Sequence, residues 1–313
     1  MDLQTVTDRA GPREFGPGDD MPRKYREAAT RMIQFHANSE IMGAYIERPF
    51  IRQAPSLDRK LAVSAQVQDE VGHAQLLYRA AEELGIKDRE EMLDELASGE
   101  GKFLNCFHYP LDNWDELPMI MFFVDGAAMR RQASLKRTSW EPYAHAIDKI
   151  CFEEGFHIKH GEDILRTLAT GSRAGQQRLQ EAFEKWWPRI LQFFGPTDDQ
   201  STHNDFAIEV GLKTMSNDDL RNAFLNAYVP KARKYGLELP EYPRVEYHES
   251  EDHYEVYEED LDWDEFFTVA KNEFPTGRGQ IDKRRRSQDA VSWVREAIES
   301  PQQGGVTPAA ADD

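Results

Sequence analysis

The sequence predicts an all-α protein built around a bundle of long helices. Three observations carry that expectation. Apolar residues recur every three or four positions over long stretches, helix-stop signals stand at Gly85, Gly171, Gly195-Pro196 and Gly236, and sustained apolar–polar alternation is almost absent. The 313 residues are 40% hydrophobic and include 17 Phe and 6 Trp, enough for one large core. No run approaches the roughly 20 consecutive apolar residues of a membrane span. The polar start of the chain lacks the apolar segment of a secretory signal. Cys106 and Cys151 read as reduced thiols, so a cytoplasmic protein is expected, with no membrane partner. A formal net charge of −19 would repel phosphate backbones and excludes nucleic acid as a partner.

Residues 1–20 read as a mobile arm, 21–239 as the helical domain, 240–300 as an extension with short helices, and 301–313 as a disordered tail. The first helix covers 23–47, with Met32, Ile33, Phe35 and Ile41 apolar. Pro49 and Pro55 bracket a connection, after which Ser56 caps a helix that runs to Leu84. A short helix over 89–98 follows, then an aromatic-rich ordered loop over 101–115. Asn113 opens a fourth helix that reaches about Arg137 and tolerates Pro118 near its start. A fifth runs from Pro142 to Ala169, and a sixth covers 176–194, bent or interrupted at Pro188. Ser216 begins a seventh, its Ser-Asn-Asp-Asp run resembling a capping box. Beyond Leu239 the spacing predicts short helices over 263–272 and 285–299 and a hairpin within 245–257.

The informative pattern is a weak internal repeat. Glu70-Val-Gly-His73 and Glu154-Gly-Phe-His157 both read Glu-x-x-His on long predicted helices. Residues three apart share a helix face, so each carboxylate–imidazole pair can reach one ion. Alone, either match is most simply a surface pair. However, Glu70 interrupts an apolar stripe of Val63, Val67, Ala74, Leu77 and Ala81, and Glu154 interrupts one of Ile147, Ile150, Gly161 and Ile164. A bare carboxylate buried in such a stripe costs several kcal/mol, a conflict that metal ligation removes.

Each pair is preceded by an acid at nearly the same distance: Glu40 lies 30 residues before Glu70, and Asp125 lies 29 before Glu154. Each sits on the preceding long helix. A carboxylate from each of two helices plus Glu-x-x-His from two others is the di-metal pattern of ferritin-like bundles. The expectation is therefore a ferritin-like di-iron four-helix core with additional helices and a mostly irregular C-terminal extension. Its ligands are Glu40, Glu70, His73, Asp125, Glu154 and His157, with Asp125 terminal and Glu70 and Glu154 the bridging candidates. Asp69 and Glu153, each beside a ligand glutamate, are placed to accept a proton from a ligand imidazole. His36 reads as a packing or hydrogen-bonding residue. His108, His145, His160, His203, His248 and His253 show no comparable geometry. The ligand types suit manganese as well as iron. Catalytic oxygen activation and metal handling or storage without substrate oxidation both remain open at this point. The 101–115 segment and the extension exceed what a minimal storage bundle needs.

The same stretches resemble the catalytic components of the ring 1,2-phenylacetyl-CoA epoxidases, bacterial multicomponent monooxygenases. The residues that carry the likeness are Ser39-Glu40-Ile41, Val67-Gln68-Asp69-Glu70-Val71-Gly72-His73, Val124-Asp125-Gly126-Ala127-Ala128, Glu153-Glu154-Gly155-Phe156-His157 and Phe194-Gly195-Pro196. Asn217-Asp218-Asp219-Leu220-Arg221 and Trp293-Val294-Arg295-Glu296-Ala297 extend it, so that it spans 21–297. The resemblance implies two Fe ions, O2 as co-substrate, and insertion of one oxygen atom across the ring of phenylacetyl-CoA in phenylacetate catabolism. It also implies three kinds of partner: a homologous non-catalytic helical subunit, an NADPH-dependent flavin/iron–sulfur reductase, and a small accessory subunit. Arg31, Lys102 and Lys213 are similar to basic residues of the family and would meet the CoA phosphates. Gln66 departs from the pattern, standing where similar sequences carry Lys. Independently, the chain has no Gly-x-Gly-x-x-Gly after a strand and no iron–sulfur cysteine set, so no flavin or nicotinamide is expected on it.

Overall fold

The structure is a computed structural model that describes residues 14–201, 203–250, 252–271, 282, 285–286, 289–290 and 292–299. It is all-α and ferritin-like, with one small hairpin among the described residues. Helix α1 (Arg23–Glu47) is followed by a short α2 (Pro49–Gln53) and the long α3 (Leu57–Glu82). Then come α4 (Arg89–Ser98), a π-helical turn (Met119–Val124) running straight into α5 (Asp125–Leu135), and α6 (Glu141–Ala169). Next are α7 (Arg173–Leu191), α8 (Asn204–Glu209), α9 (Asn217–Lys234), strands β1 (Val245–His248) and β2 (His253–Val256), α10 (Trp263–Ala270) and α11 (Ser292–Glu299).

Local chemistry sets most boundaries. The Ser56 hydroxyl accepts the Arg59 N–H at 3.3 Å, and Ser216 accepts the Asp219 N–H at 3.1 Å, each satisfying an N–H that the first turn leaves open. Asp88 and Ser172 cap α4 and α7 in the same way. Gly99 ends α4 at φ 88°, a conformation that favours glycine.

Several expectations need adjusting. The connection after α1 contains helix α2, because Pro49 sits at a first-turn position where its missing N–H is no loss. The helix expected from Asn113 starts later: residues Trp114–Glu116 make a 3-10 turn, and the chain then passes through the π-helical turn. A π turn inserts a residue without changing composition, so apolar spacing does not disclose it. Helix α7 starts at Arg173, three residues before the expected 176, and runs on through Pro188 to Leu191. The short α8 lies where the sequence predicts no helix. Of the arm expected over 1–20, residues 1–13 lie outside the described residues, but Phe15 is held. Its N–H donates to the Ser139 carbonyl at 2.7 Å, and its ring lies 4.7 Å from that of Tyr25. The tail over 301–313 also lies outside the described residues.

Helices α1 and α3 pack as one long pair, and α6 packs on α5 with the π turn as the other. The contact of α3 with α6 joins the two pairs. An aromatic cluster including Phe122, Phe123, Trp186, Trp187 and Phe224 seals one side of this four-helix core. A second cluster around Ile33, Leu77, Trp140 and Ile147 seals the other. Between them lies a polar interior, held by these walls. No described helix is long and apolar enough to cross a membrane.

Candidate metal centre

The polar interior gathers the six residues singled out by spacing. Helix α1 supplies Glu40, α3 supplies Glu70 and His73, the start of α5 supplies Asp125, and α6 supplies Glu154 and His157. None is more than 7% exposed. Ligand atoms of Glu40, Glu70, His73 and Glu154 all lie within 4.8 Å of one another, as do those of Asp125, Glu154 and His157. Glu154 belongs to both groups. Glu70 also reaches across, its Oε1 3.2 Å from Nδ1 of His157.

Each imidazole is held from behind. Nε2 of His73 lies 3.0 Å from Glu153, and Nε2 of His157 lies 3.3 Å from Asp69. The pairing is crossed: the acid beside Glu154 on α6 serves the imidazole of α3, and the acid beside Glu70 on α3 serves that of α6. With Nε2 engaged as donor, Nδ1 of each ring faces the centre and in the neutral imidazole would offer it a lone pair. Among the described residues, Nδ1 of His73, Nδ1 of His157 and Oε2 of Glu154 are buried without a hydrogen-bond partner. Buried polar atoms are rarely left so. Two divalent cations would satisfy all three, and their charge would match four ligand carboxylates. The donor set therefore fits a di-metal centre of iron or manganese.

Electrostatics reports the same crowding. Burial, reinforced by neighbouring carboxylates, pushes Glu70 and Asp125 well above the usual carboxylate range. Glu154 is shifted down despite its burial, because the His157 imidazole lies beside it, Nδ1 3.4 Å from its Oε2. Burial opposes charge on His73, but the Glu40 carboxylate outweighs it and raises the imidazole to about 9. His157 is raised further, against burial, by Glu154 and Glu70.

These shifts give the metal-free chain a definite pH response. Between about pH 6.5 and about pH 8, the folded state holds protons on His73 and His157 that the unfolded chain releases. The raised carboxylates have the same sign. A folded state that binds more protons loses stability as pH rises. The opposing shifts act outside this window, since His36 lies at about 3 and Lys213 at about 8. The melting temperature of chelator-treated protein is expected to fall from pH 6.5 to 8. That of metal-saturated protein should hold or rise, because the ions require deprotonated ligands. A chelated chain that melts higher at pH 8 would contradict the arrangement.

His36 positions rather than ligates. Burial lowers its imidazole to about 3, so the ring is neutral. It donates from Nε2 to Glu40 at 2.9 Å and accepts at Nδ1 from the Tyr143 hydroxyl at 2.9 Å.

Three polar residues have roles at the centre that the sequence reading does not give them. Glu47, 1% exposed, is a further interior carboxylate, pushed well above its usual range by burial and by Asp125. Gln66 donates to Glu47 at 3.0 Å and to Asp125 at 3.3 Å, joining α3 to both. Gln132 donates to Glu154 at 3.3 Å. A signal was present: Glu47 follows Glu40, and Gln132 follows Asp125, by seven residues, two turns along one face.

A cavity opens beside the cluster. Glu40, Glu70, Asp125 and Glu154 line it together with the apolar Leu104, Phe107, Ile120, Val124 and Phe193. Arg131 is the cation in its wall. Arg31, Lys102 and Lys213 do not line it; Arg31 and Lys102 are exposed, while Lys213 is part-buried and donates to Asn217 at 2.9 Å.

The crossed acids are testable. Glu153→Ala frees Nε2 of His73 and with it the orientation of the ring. Metal affinity is expected to fall about 10- to 100-fold, with helical content unchanged. Unchanged affinity in an equilibrium titration would show that Glu153 is only a surface partner of Lys149.

The chain is 40% identical over 286 residues, covering 90% of each protein, to the A component of the 1,2-phenylacetyl-CoA epoxidase of Escherichia coli (strain K12). Its residues 9–293 also match the family described as phenylacetic acid catabolic proteins. With most of its length matched on both counts, the chain belongs to the phenylacetic acid catabolic protein family.

Proposed function

We propose that this chain is the catalytic oxygenase component of a multisubunit epoxidase that acts on the aromatic ring of phenylacetyl-CoA. The observation that carries the reading is the apolar-walled cavity lying directly against the converged Glu-x-x-His pairs. A storage bundle needs no such wall, whereas a ring substrate does. The Escherichia coli relative, named for 1,2-phenylacetyl-CoA epoxidase, supports the substrate.

Glu40 and His73 would hold one iron, Asp125 and His157 the other, with Glu70 and Glu154 between them. When bound, the iron pair supplies reductive activation of O2. The chain's own residues do the rest. Asp69 and Glu153 fix the tautomer and tilt of the two imidazoles. Phe107, Ile120 and Phe193 keep water away from the centre, and by turning aside they would open the cavity, about 30 Å³ as it stands, to a phenyl ring. Arg131 places a positive charge in the cavity wall, suited to the polar thioester end of the substrate. Arg31, Lys102 and Lys213 would meet phosphates of the CoA arm outside the cavity. Electrons would come from NADPH through a flavin/iron–sulfur reductase. Two further proteins, one a homologous non-catalytic helical subunit, the other a small accessory subunit, would complete the assembly.

The test is reconstitution. The chain, purified with the proteins encoded beside its gene and loaded with iron, is given phenylacetyl-CoA, NADPH and 18O2. A product carrying one 18O atom is expected. Absence of labelled product from an assembled, iron-loaded complex would overturn the reading.

A further inference from the structure

We propose that the β1–β2 hairpin carries a separate zinc site formed by His248, His253 and Glu255, with Glu246 as fourth ligand. In the sequence, these residues are only scattered polar positions in an acidic segment. Strand register brings them together. His248 stands directly opposite His253, and Glu246 directly opposite Glu255. Side chains alternate along a strand, so all four project from one face.

The geometry is close to that of a bound ion. The imidazoles lie 4.9 Å apart, centre to centre, with their planes 22° from parallel. Nε2 of His248 is 3.2 Å from Oε2 of Glu255. Zinc bonds of about 2.0–2.1 Å at tetrahedral angles put neighbouring ligand atoms roughly 3.3 Å apart, so this pair is already at the right separation. Ligand atoms of His248, His253 and Glu255 all lie within 4.8 Å of one another. Small side-chain rotations at a surface hairpin close the remaining gap. Glu246 stands one residue pair along the same face, its carboxylate accepting from the Tyr257 hydroxyl, and would turn toward the histidines to complete the site.

The charge pattern argues for a cation independently. Two carboxylates set directly across a strand pair destabilise it, as do two protonated imidazoles. A divalent ion removes both penalties and takes the imidazoles in their neutral form. Glu249 and Asp252 flank the turn, and the chain's net charge of −19 raises the local cation concentration. Two nitrogens and two carboxylate oxygens favour zinc over magnesium or calcium.

The opposite face explains what the ion would do. The Tyr254 hydroxyl accepts from Arg233 at 2.9 Å, the Tyr254 N–H donates to Asn226 at 2.6 Å, and Val256 is buried in the core. The hairpin is thus docked on α9, with the histidine face turned outward. A two-stranded hairpin is marginal by itself. A zinc clip beside its turn would hold the docked face in register.

The experiment uses the full chain with its central site intact. Zinc bound per chain is measured by competition with a chromophoric chelator, for the unaltered protein and for the double variant H248A/H253A. The unaltered protein is expected to hold one more equivalent, at micromolar affinity or better, and to lose it at pH 5. Equal equivalents in both would overturn the site and reduce the pair to a surface His248–Glu255 ion pair. Glu255→Gln keeps both imidazoles and should weaken that equivalent at least tenfold; it carries the test if the double variant misfolds. No weakening in that variant also counts against the proposal.

Discussion

Glu70→Ala is expected to abolish epoxidation, a loss of at least about a thousandfold, and to leave no more than one iron per chain. The reason is positional. Glu70 shares α3 with His73, yet its Oε1 lies 3.2 Å from Nδ1 of His157 on α6. It is thus one of two carboxylates, with Glu154, that reach both halves of the centre. Its removal leaves two dications facing three ligand carboxylates instead of four, inside a wall of apolar side chains that screens nothing. The second expected effect distinguishes lost ligation from lost folding. In the metal-free chain Glu70 is buried and crowded by Glu40 and Glu154, and its carboxyl is pushed well above the ordinary range. Deleting it relieves that crowding. The stripped variant should therefore melt no lower than the stripped parent. The stabilisation that metal confers, about 2.7 kcal/mol at a hundredfold excess over Kd, should shrink, and with it the rise in melting temperature. Full turnover with two irons bound would remove Glu70 from the centre.

The convergence of the six residues was legible because helices repeat. Glu40 and Glu70, and likewise Asp125 and Glu154, sit on apolar stripes whose period fixes the face each carboxylate points to. Near-equal spacing then makes the two halves recognisable as copies. What could not be read was anything that depends on how helices meet. Asp69 and Glu153 were expected to support imidazoles, but spacing does not tell which one. Each serves the ring of the other helix, because α3 and α6 lie side by side. The roles of Glu47, Gln66 and Gln132 were missed for a related reason. A polar residue on a helix reads as surface until a second helix covers it. The hairpin histidines are the strand version of the problem, since pairing of His248 with His253 requires the register.

The same dependence on packing makes Gly161→Ala a damaging small change outside the ligands. Gly161 lies on α6, four residues after His157, and Met121 lies in the π turn, four residues before Asp125. A Cβ on Gly161 would sit 2.5 Å from the main-chain carbon of Met121 and 2.7 Å from its carbonyl oxygen. Ordinary contacts of this kind are about 3.4 Å or more. The obstacle is backbone, so no rotamer change relieves it, and α6 must move away from the π turn. Such overpacking costs about 1–3 kcal/mol, and a backbone obstacle puts this case at the upper end. For a domain of this size that corresponds to a fall in melting temperature of several degrees. The displacement also separates Asp125 from His157, so the metal position they would share should weaken more than the one Glu40 and His73 would hold. Gly155, on the same helix, is the control. Nothing lies within 4 Å of a Cβ built there, so Gly155→Ala should gain helix propensity, up to about 1 kcal/mol, and leave both metal positions intact. Thermal melts paired with iron analysis of the two variants would decide the matter. Equal melting temperatures would mean that the π turn yields freely, and that the approach of α6 to it does not set the geometry of the centre.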